Sequence, residues 1–181
     1  ASARSADYVA MLGKLERIHP GVGLGVSLLE RSRVARQSSD LDGANRLLDE
    51  AATVFQEIGC IWGVGATLLE IATVLLDNGY ATGAQKFLQQ AFARFKATEP
   101  PLGLLATKTR YAEVLTRTGD LVKAEGKLRR LLTALSAATP GPEIGEGQLA
   151  LAENLARQGR SEEAHKHYVR AIEIARDVGD R

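Results

Sequence analysis

The stretch LARQGRSEEAHKHYVRA, Leu155 to Ala171, gathers two histidines, two glutamates and a tyrosine around one glycine. Taken alone, it reads equally as a reactive site or as the bend between two helices. Its counterparts elsewhere in the chain decide. LLDNGYATGA at 75–84 and LTRTGDLVKA at 115–124 place Gly79, Gly119 and Gly159 forty residues apart, each followed at the same distance by an alanine, Ala84, Ala124 or Ala164. One step further back, QSSDLDGA at 37–44 keeps Ala44 but has Ser39 where the glycine stands. A fixed period of this length marks stacked structural units, none of which can bury its own apolar face alone.

Other columns hold the same register. They are Leu48, Leu88, Leu128 and Tyr168; Ala51, Ala91, Leu131 and Ala171; Ala35, Leu75, Leu115 and Leu155; and Ser32, Ala72, Ala112 and Ala152. Gly23, Gly63 and Gly103 also agree, with Glu143 in the fourth unit. Apolar residues recur at three and four, as in Leu68, Leu69, Ala72, Leu75 and Leu76, which is the stripe of a helix buried on one side; the alternation of a strand is absent.

Each unit therefore reads as two antiparallel helices. The first helices are predicted at 22–37, 62–78, 102–118 and 143–158, and the second at 41–57, 81–98, 121–138 and 161–178. The repeats then run 22–57, 62–98, 102–138 and 143–178. Thr82 with Gln85 fits a capping box, and Asp120 and Ser161 can each accept a free amide at a helix start. Pro100 and Pro101, then Pro140 and Pro142, cannot continue a helix and are placed between units. Tyr8, Met11, Leu15 and Ile18 fall opposite Leu48, Ala51, Phe55 and Ile58, so 5–18 reads as the second helix of a partial leading repeat. The whole chain, 1–181, is then a single all-α domain, a right-handed superhelical array of antiparallel helix hairpins. Ile172, Ile174 and Val178 on the last helix are expected to form an exposed end face.

A small and a large apolar residue in the first helix, glycine at its end, then alanine, a large residue and alanine in the second resemble the tetratricopeptide repeat (TPR). Ala152, Leu155, Gly159, Ala164, Tyr168 and Ala171 fit it, as do Ala72, Leu75, Gly79, Ala84, Leu88 and Ala91. The period differs: that family usually repeats every 34 residues or so. Longer units with segments such as FQEIGCIWGVGATLLEIA at 55–72 and ARDVGD at 175–180 resemble two groups of arrays. One is the helical sensor arrays of maltose-regulator-type bacterial signal-transduction ATPases and transcriptional activators. The other is the arrays of animal spindle-orientation adaptor proteins. The resemblance implies a TPR-like α-solenoid that binds a protein or peptide, with roles in signal transduction or transcription regulation.

The bulk numbers bound the function. Twenty-three basic against twenty-two acidic residues give a net charge of +1, far from the balance of a dedicated nucleic-acid binder. The clusters Arg33/Arg36 and Lys123/Lys127/Arg130 lack interleaved aromatic residues, so solvated helix faces explain them better than a phosphate site. Aromatics are only 5% of the chain, so the core rests on Ala, Leu, Val and Ile. A lone cysteine, Cys60, cannot form an intrachain disulfide, which fits a reducing, cytoplasmic setting. No run of eighteen apolar residues occurs, so membrane insertion is not expected, and the start ASARSADY lacks the apolar segment of a signal peptide.

Catalytic patterns do not assemble. His165 and His167, two apart on a helix, point in different directions and lack metal-ligand spacing. Gly21, Gly23 and Gly25 of HPGVGLGVSLLE follow no strand and end in no lysine and hydroxyl pair, so they are no phosphate loop; close approach between hairpins accounts for them. A noncatalytic chain without cofactor or metal is expected.

In the resembling family the first helices line the concave surface. Carried over by register, the candidate binding residues are Arg33, Arg36 and Gln37; Thr73, Leu76 and Asp77; Thr109, Glu113, Thr116 and Arg117; and Glu153, Ala156 and Arg157. Some chaperone-binding members clamp a C-terminal carboxylate with Lys, Arg and Asn, but Thr73, Glu113 and Glu153 stand at the matching places and do not reproduce that set. The reading is a protein or peptide scaffold, the sensor or adaptor segment of a larger regulatory protein. A second reading is a small-ligand sensor with an apolar pocket near Trp62, Leu69 and Leu76, or an array that self-associates into homo-oligomers through exposed repeat ends.

Overall fold

The computed structural model describes residues 21–98, 103–135 and 142–179. The predicted helix 5–18 with Tyr8, Met11, Leu15 and Ile18, the prolines Pro100, Pro101 and Pro140, and the side chain of Val178 lie outside the described residues. Eight helices and no strand occur among those described: α1 Gly21–Gln37, α2 Leu41–Glu57, α3 Ile61–Asp77, α4 Ala81–Lys96, α5 Leu104–Thr118, α6 Leu121–Ala134, α7 Pro142–Arg157 and α8 Ser161–Gly179. The architecture is all-α and TPR-like. Where the register predicts one continuous array, the chain separates into two compact units whose boundary falls inside α5, between Thr107 and Lys108.

The tight turns follow from one local device. At the end of α3 the Tyr80 amide donates to the Leu75 carbonyl at 2.8 Å and the Gly79 amide to Leu76 at 2.9 Å, with Gly79 at φ +82°. These paired bonds close the last carbonyls of the helix around one left-handed residue. The end of α1 makes the same bonds, Asp40 to Ala35 and Ser39 to Arg36, with Ser39 at φ +62°. A side chain in that conformation is strained by roughly 1 kcal/mol. Ser39→Gly is therefore expected to raise stability by about 0.5–1 kcal/mol, read as a higher urea midpoint with unchanged slope.

Beneath the turns the columns do the packing. Ala44, Ala84, Ala124 and Ala164 are buried, as are Leu48, Leu88 and Leu128, while Tyr168 is half-buried. Small residues at these places let the paired helices approach closely. In the unit before Lys108, Phe55 is fully buried, and its ring lies where a Cβ on Gly63 would come within 2.1 Å and one on Gly25 within 2.5 Å. Trp62 meets the same ring edge-on at 6.4 Å between centroids. Phe95 repeats the arrangement against Gly103, at 2.5 Å from a Cβ there. The glycine column is thus paired with an aromatic column, and Trp62 seals the seam between α2 and α3 rather than lining an apolar pocket. In the later unit Leu128 and Leu132 of α6 pack with Ala150, Leu151 and Leu155 of α7.

Three expectations change. Pro142 is the first residue of α7, where a missing amide proton has no helical acceptor to lose, so the proline opens the helix. The side-chain caps are at Asp40, which accepts from the Gly43 amide at 2.9 Å, and Cys60, whose sulfur accepts from the Gly63 amide at 3.4 Å. Tyr80 and Asp120 stand at the N-caps of α4 and α6 with no side-chain capping bond, and Thr82 and Ser161 lie inside their helices. Ile174 is buried and packs toward Gly145, whereas Ile172 is exposed.

Candidate functional site

The candidate residues sit on the first helices, and each compact unit presents its own set. In the earlier unit α3 lies beside α1. The Nε of Arg33 donates to Glu70 at 2.7 Å and its Nη1 to Glu30 at 2.6 Å. The Nη1 of Arg36 donates to Asp77. The RSRVAR cluster therefore has its charge met by carboxylates within the fold, which leaves a poor site for phosphate. Gln37 and Asp77 are exposed. Thr73 and Leu76 are not surface residues: Leu76 is buried, and the Thr73 hydroxyl donates to the Leu69 carbonyl at 2.9 Å, inside its own helix.

In the later unit Arg110 donates to both oxygens of Glu113, at 2.9 and 3.0 Å, and lies 3.7 Å from Glu146. Burial pushes the Glu113 carboxyl above its usual range, Arg110 opposes that shift, and Glu153 and Glu146 add to it. Arg117, Glu153 and Arg157 are exposed on α5 and α7, as is Ala156. Thr109 and Thr116 belong to the interior. Thr116 donates to the Ala112 carbonyl at 3.0 Å and accepts from the Nδ2 of the fully buried Asn154 at 2.9 Å. Asn154 also donates to the Leu121 carbonyl at 3.1 Å and accepts from Gln158 at 2.7 Å. A threonine one turn along a first helix looks surface-facing by register, but these hydroxyls satisfy backbone carbonyls and free their methyls for packing.

Sequence reasoning missed the polar network that ties α6 to the start of α8. Glu125 accepts from Gln158 at 3.0 Å, Arg129 at 2.8 Å and Arg160 at 2.8 Å, and Arg160 also donates to Glu163 at 2.7 Å. The pairs Glu125/Arg129 and Arg160/Glu163 are visible at helical spacing; their joining needs the turn at Gly159. The bond from Gln158, followed by those from Arg129 and Arg160, lowers the Glu125 carboxyl to about 2 against the opposing effect of burial. A carboxyl lowered on folding contributes stability that is present above its unfolded value and lost as pH falls through the folded one. The wild-type melting temperature is thus expected to exceed that of Glu125→Gln at pH 6. The difference should shrink as pH falls from about 4.5 to about 2.

The two histidines do separate things. His167 lies 2.6 Å from the Gln148 oxygen through Nδ1, and burial, then Arg129, lowers its pKa, so it serves as a neutral donor. His165 is exposed. Among the described residues no three His, Cys, Asp or Glu side chains gather as metal ligands. On α6, Lys127 sits 5.3 Å over the Tyr111 ring, a cation–π contact within the fold. No helix of the described residues is long and apolar enough to cross a membrane.

Comparison with known proteins agrees with this architecture. Residues 103–177 match the tetratricopeptide repeat family. No curated protein matches. Among solved structures, a candidate kinesin light chain of Podosopora anserina with nearly identical TPR-like repeats is similar at 18% identity. In that comparison the TM-score is 0.55, covering 83% of this chain and 74% of that one. A point-substituted form of that protein is similar at a TM-score of 0.58, with the same identity and coverage. BtubC (BKLC) of P. vanneervenii is similar at 14% identity and a TM-score of 0.63, over 85% of this chain and 64% of that one. At these identities the likeness is one of fold.

Proposed function

We propose that the chain is a noncatalytic protein-interaction scaffold, the sensor or adaptor segment of a larger regulatory protein, and that it binds an extended or helical partner segment on its first helices. Tetratricopeptide repeats generally mediate protein–protein interaction, and the matched residues include α5 to α8 up to Asp177. The observation that carries the reading is the charged face of α5 and α7. Glu113 and Glu146 share Arg110, Glu153 stands exposed beside them, and Arg117 and Arg157 occupy the helix ends.

Such a face selects a partner with basic residues toward the carboxylates and acidic residues toward Arg117 and Arg157. Complementary charge of this kind sets specificity and association rate more than raw affinity. The exposed Gln37 and Asp77, with Arg33 and Arg36, form the corresponding set on α1 and α3. A cytoplasmic setting and a role in signalling or transcription regulation belong to the same proposal. The setting is supported by the single cysteine, Cys60, buried with its thiol pKa raised by that burial; the role is supported by the long-repeat resemblance.

The test uses the partner that the 181-residue chain captures by affinity. Arg117→Glu and Glu153→Lys are each expected to weaken that complex by roughly tenfold while leaving the melting temperature unchanged. Unchanged affinity in both variants would sink the first-helix reading.

A further inference from the structure

The end of the last hairpin carries a groove lined by Pro142, Gly145, Glu146 and Leu149 of α7 and Ala171, Ile174 and Ala175 of α8. Shifted back by 120 residues, the same positions in the first hairpin are Val22, Gly25, Val26, Leu29, Ala51, Val54 and Phe55. There the surface is covered: α3 lays Trp62, Gly63 and Ala66 over it, and Leu29 is only 2% exposed. In the last hairpin the equivalent Leu149 is 44% exposed, and Ile172 beside the groove is 52% exposed. In the later unit α7 covers α6 in the corresponding way. The fold thus shows what this kind of face takes: one helix with an apolar stripe.

Two substitutions specify the helix further. Ala175 stands where Phe55 stands, so no ring fills the hollow and the occupant has no need of the glycine that α3 uses at Gly63. Glu146 replaces Val26, which puts a half-exposed carboxylate on the rim. We infer that the end face of α7 and α8 docks an amphipathic α-helix of a partner protein. That helix carries a bulky apolar side chain where α3 carries Gly63 and a basic residue toward Glu146. A second copy of the chain is disfavoured as occupant, because α1, the helix that would dock in a head-to-tail stack, already has Val22 and Leu29 buried at 2% each.

The probe is a fluorophore-labelled peptide with the sequence of α3, Ile61–Asp77, extended by lysines for solubility, in native form and as Gly63→Leu. The 181-residue chain is expected to bind the Gly63→Leu peptide at least roughly tenfold tighter than the native one. In an Ala175→Phe chain, which restores the ring, that preference should reverse. Ala171→Glu should remove binding of both peptides without lowering the melting temperature, since Ala171 lies at the open surface. Arg117→Glu and Glu153→Lys should leave peptide binding intact, which separates this proposal from the first-helix reading. The inference is overturned by equal affinity for the two peptides, by no binding of either, or by binding that survives Ala171→Glu. It is also overturned by a concentration-dependent dimer that Ala171→Glu dissociates, a result that would assign the face to a second copy.

Discussion

Phe55→Ala is expected to destabilise the unit preceding Lys108 by about 3–5 kcal/mol, the range for deleting a fully buried aromatic ring that neighbours cannot collapse to replace. The neighbours here cannot follow, because Gly25 and Gly63 have no side chains to move into the space. Trp62 loses its edge-to-face partner as well. The complementary change, Gly63→Ala, forces a Cβ to about 2.1 Å from the ring, so ring or helix must shift, at roughly 1–3 kcal/mol or more. The two effects are coupled: in Phe55→Leu the added methyl of Gly63→Ala gains room, and the double variant should be more stable than the sum of the singles. Urea unfolding of the four proteins checks both the magnitude and the sign of that coupling. Strict additivity would mean that the aromatic and glycine columns do not share one space.

The second large effect is expected at Asn154. Asn154→Leu keeps the volume but removes two donors and an acceptor from a fully buried position, leaving the Leu121 carbonyl, Thr116 and Gln158 to find other partners. Stranded buried polar groups of this kind cost about 1–3 kcal/mol each, so a loss of roughly 2–4 kcal/mol in the later unit follows. Thr116→Val removes one of those partners and should cost roughly 1 kcal/mol less than Asn154→Leu when each is measured by thermal unfolding.

The helices were legible because the forty-residue columns record side-chain size, and size decides how closely helices pack. Ala44, Ala84, Ala124 and Ala164 are recoverable from the chain for that reason alone. Ser39 was legible as the exception in the glycine column, but its left-handed backbone was visible only in the fold. Pro142 was misplaced because a proline that ends one helix and one that starts another look alike until the first turn is seen.

The candidate surface was less legible. Register along a helix predicts direction only to within a side chain, and at Thr73, Leu76, Thr109 and Thr116 that error separates surface from interior. Arg33 and Arg36 are on the surface, but their carboxylate partners Glu70 and Asp77 lie about one repeat away and no local pattern announces them. Glu125 shows the same limit. Its helical partner Arg129 is readable from spacing, while Gln158 and Arg160 arrive only when the Gly159 turn brings α8 back.

Site-specific photocrosslinking tests the central claim most directly. A photoreactive residue is placed singly at Arg117 or Glu153 on the first helices, and at Arg130 or Lys166 on the second, all four exposed, in the chain bound to its captured partner. Crosslinks to the partner from positions 117 and 153, with none from 130 and 166, are the expected result. Crosslinks from 130 and 166 alone would place binding on the second helices and contradict the account.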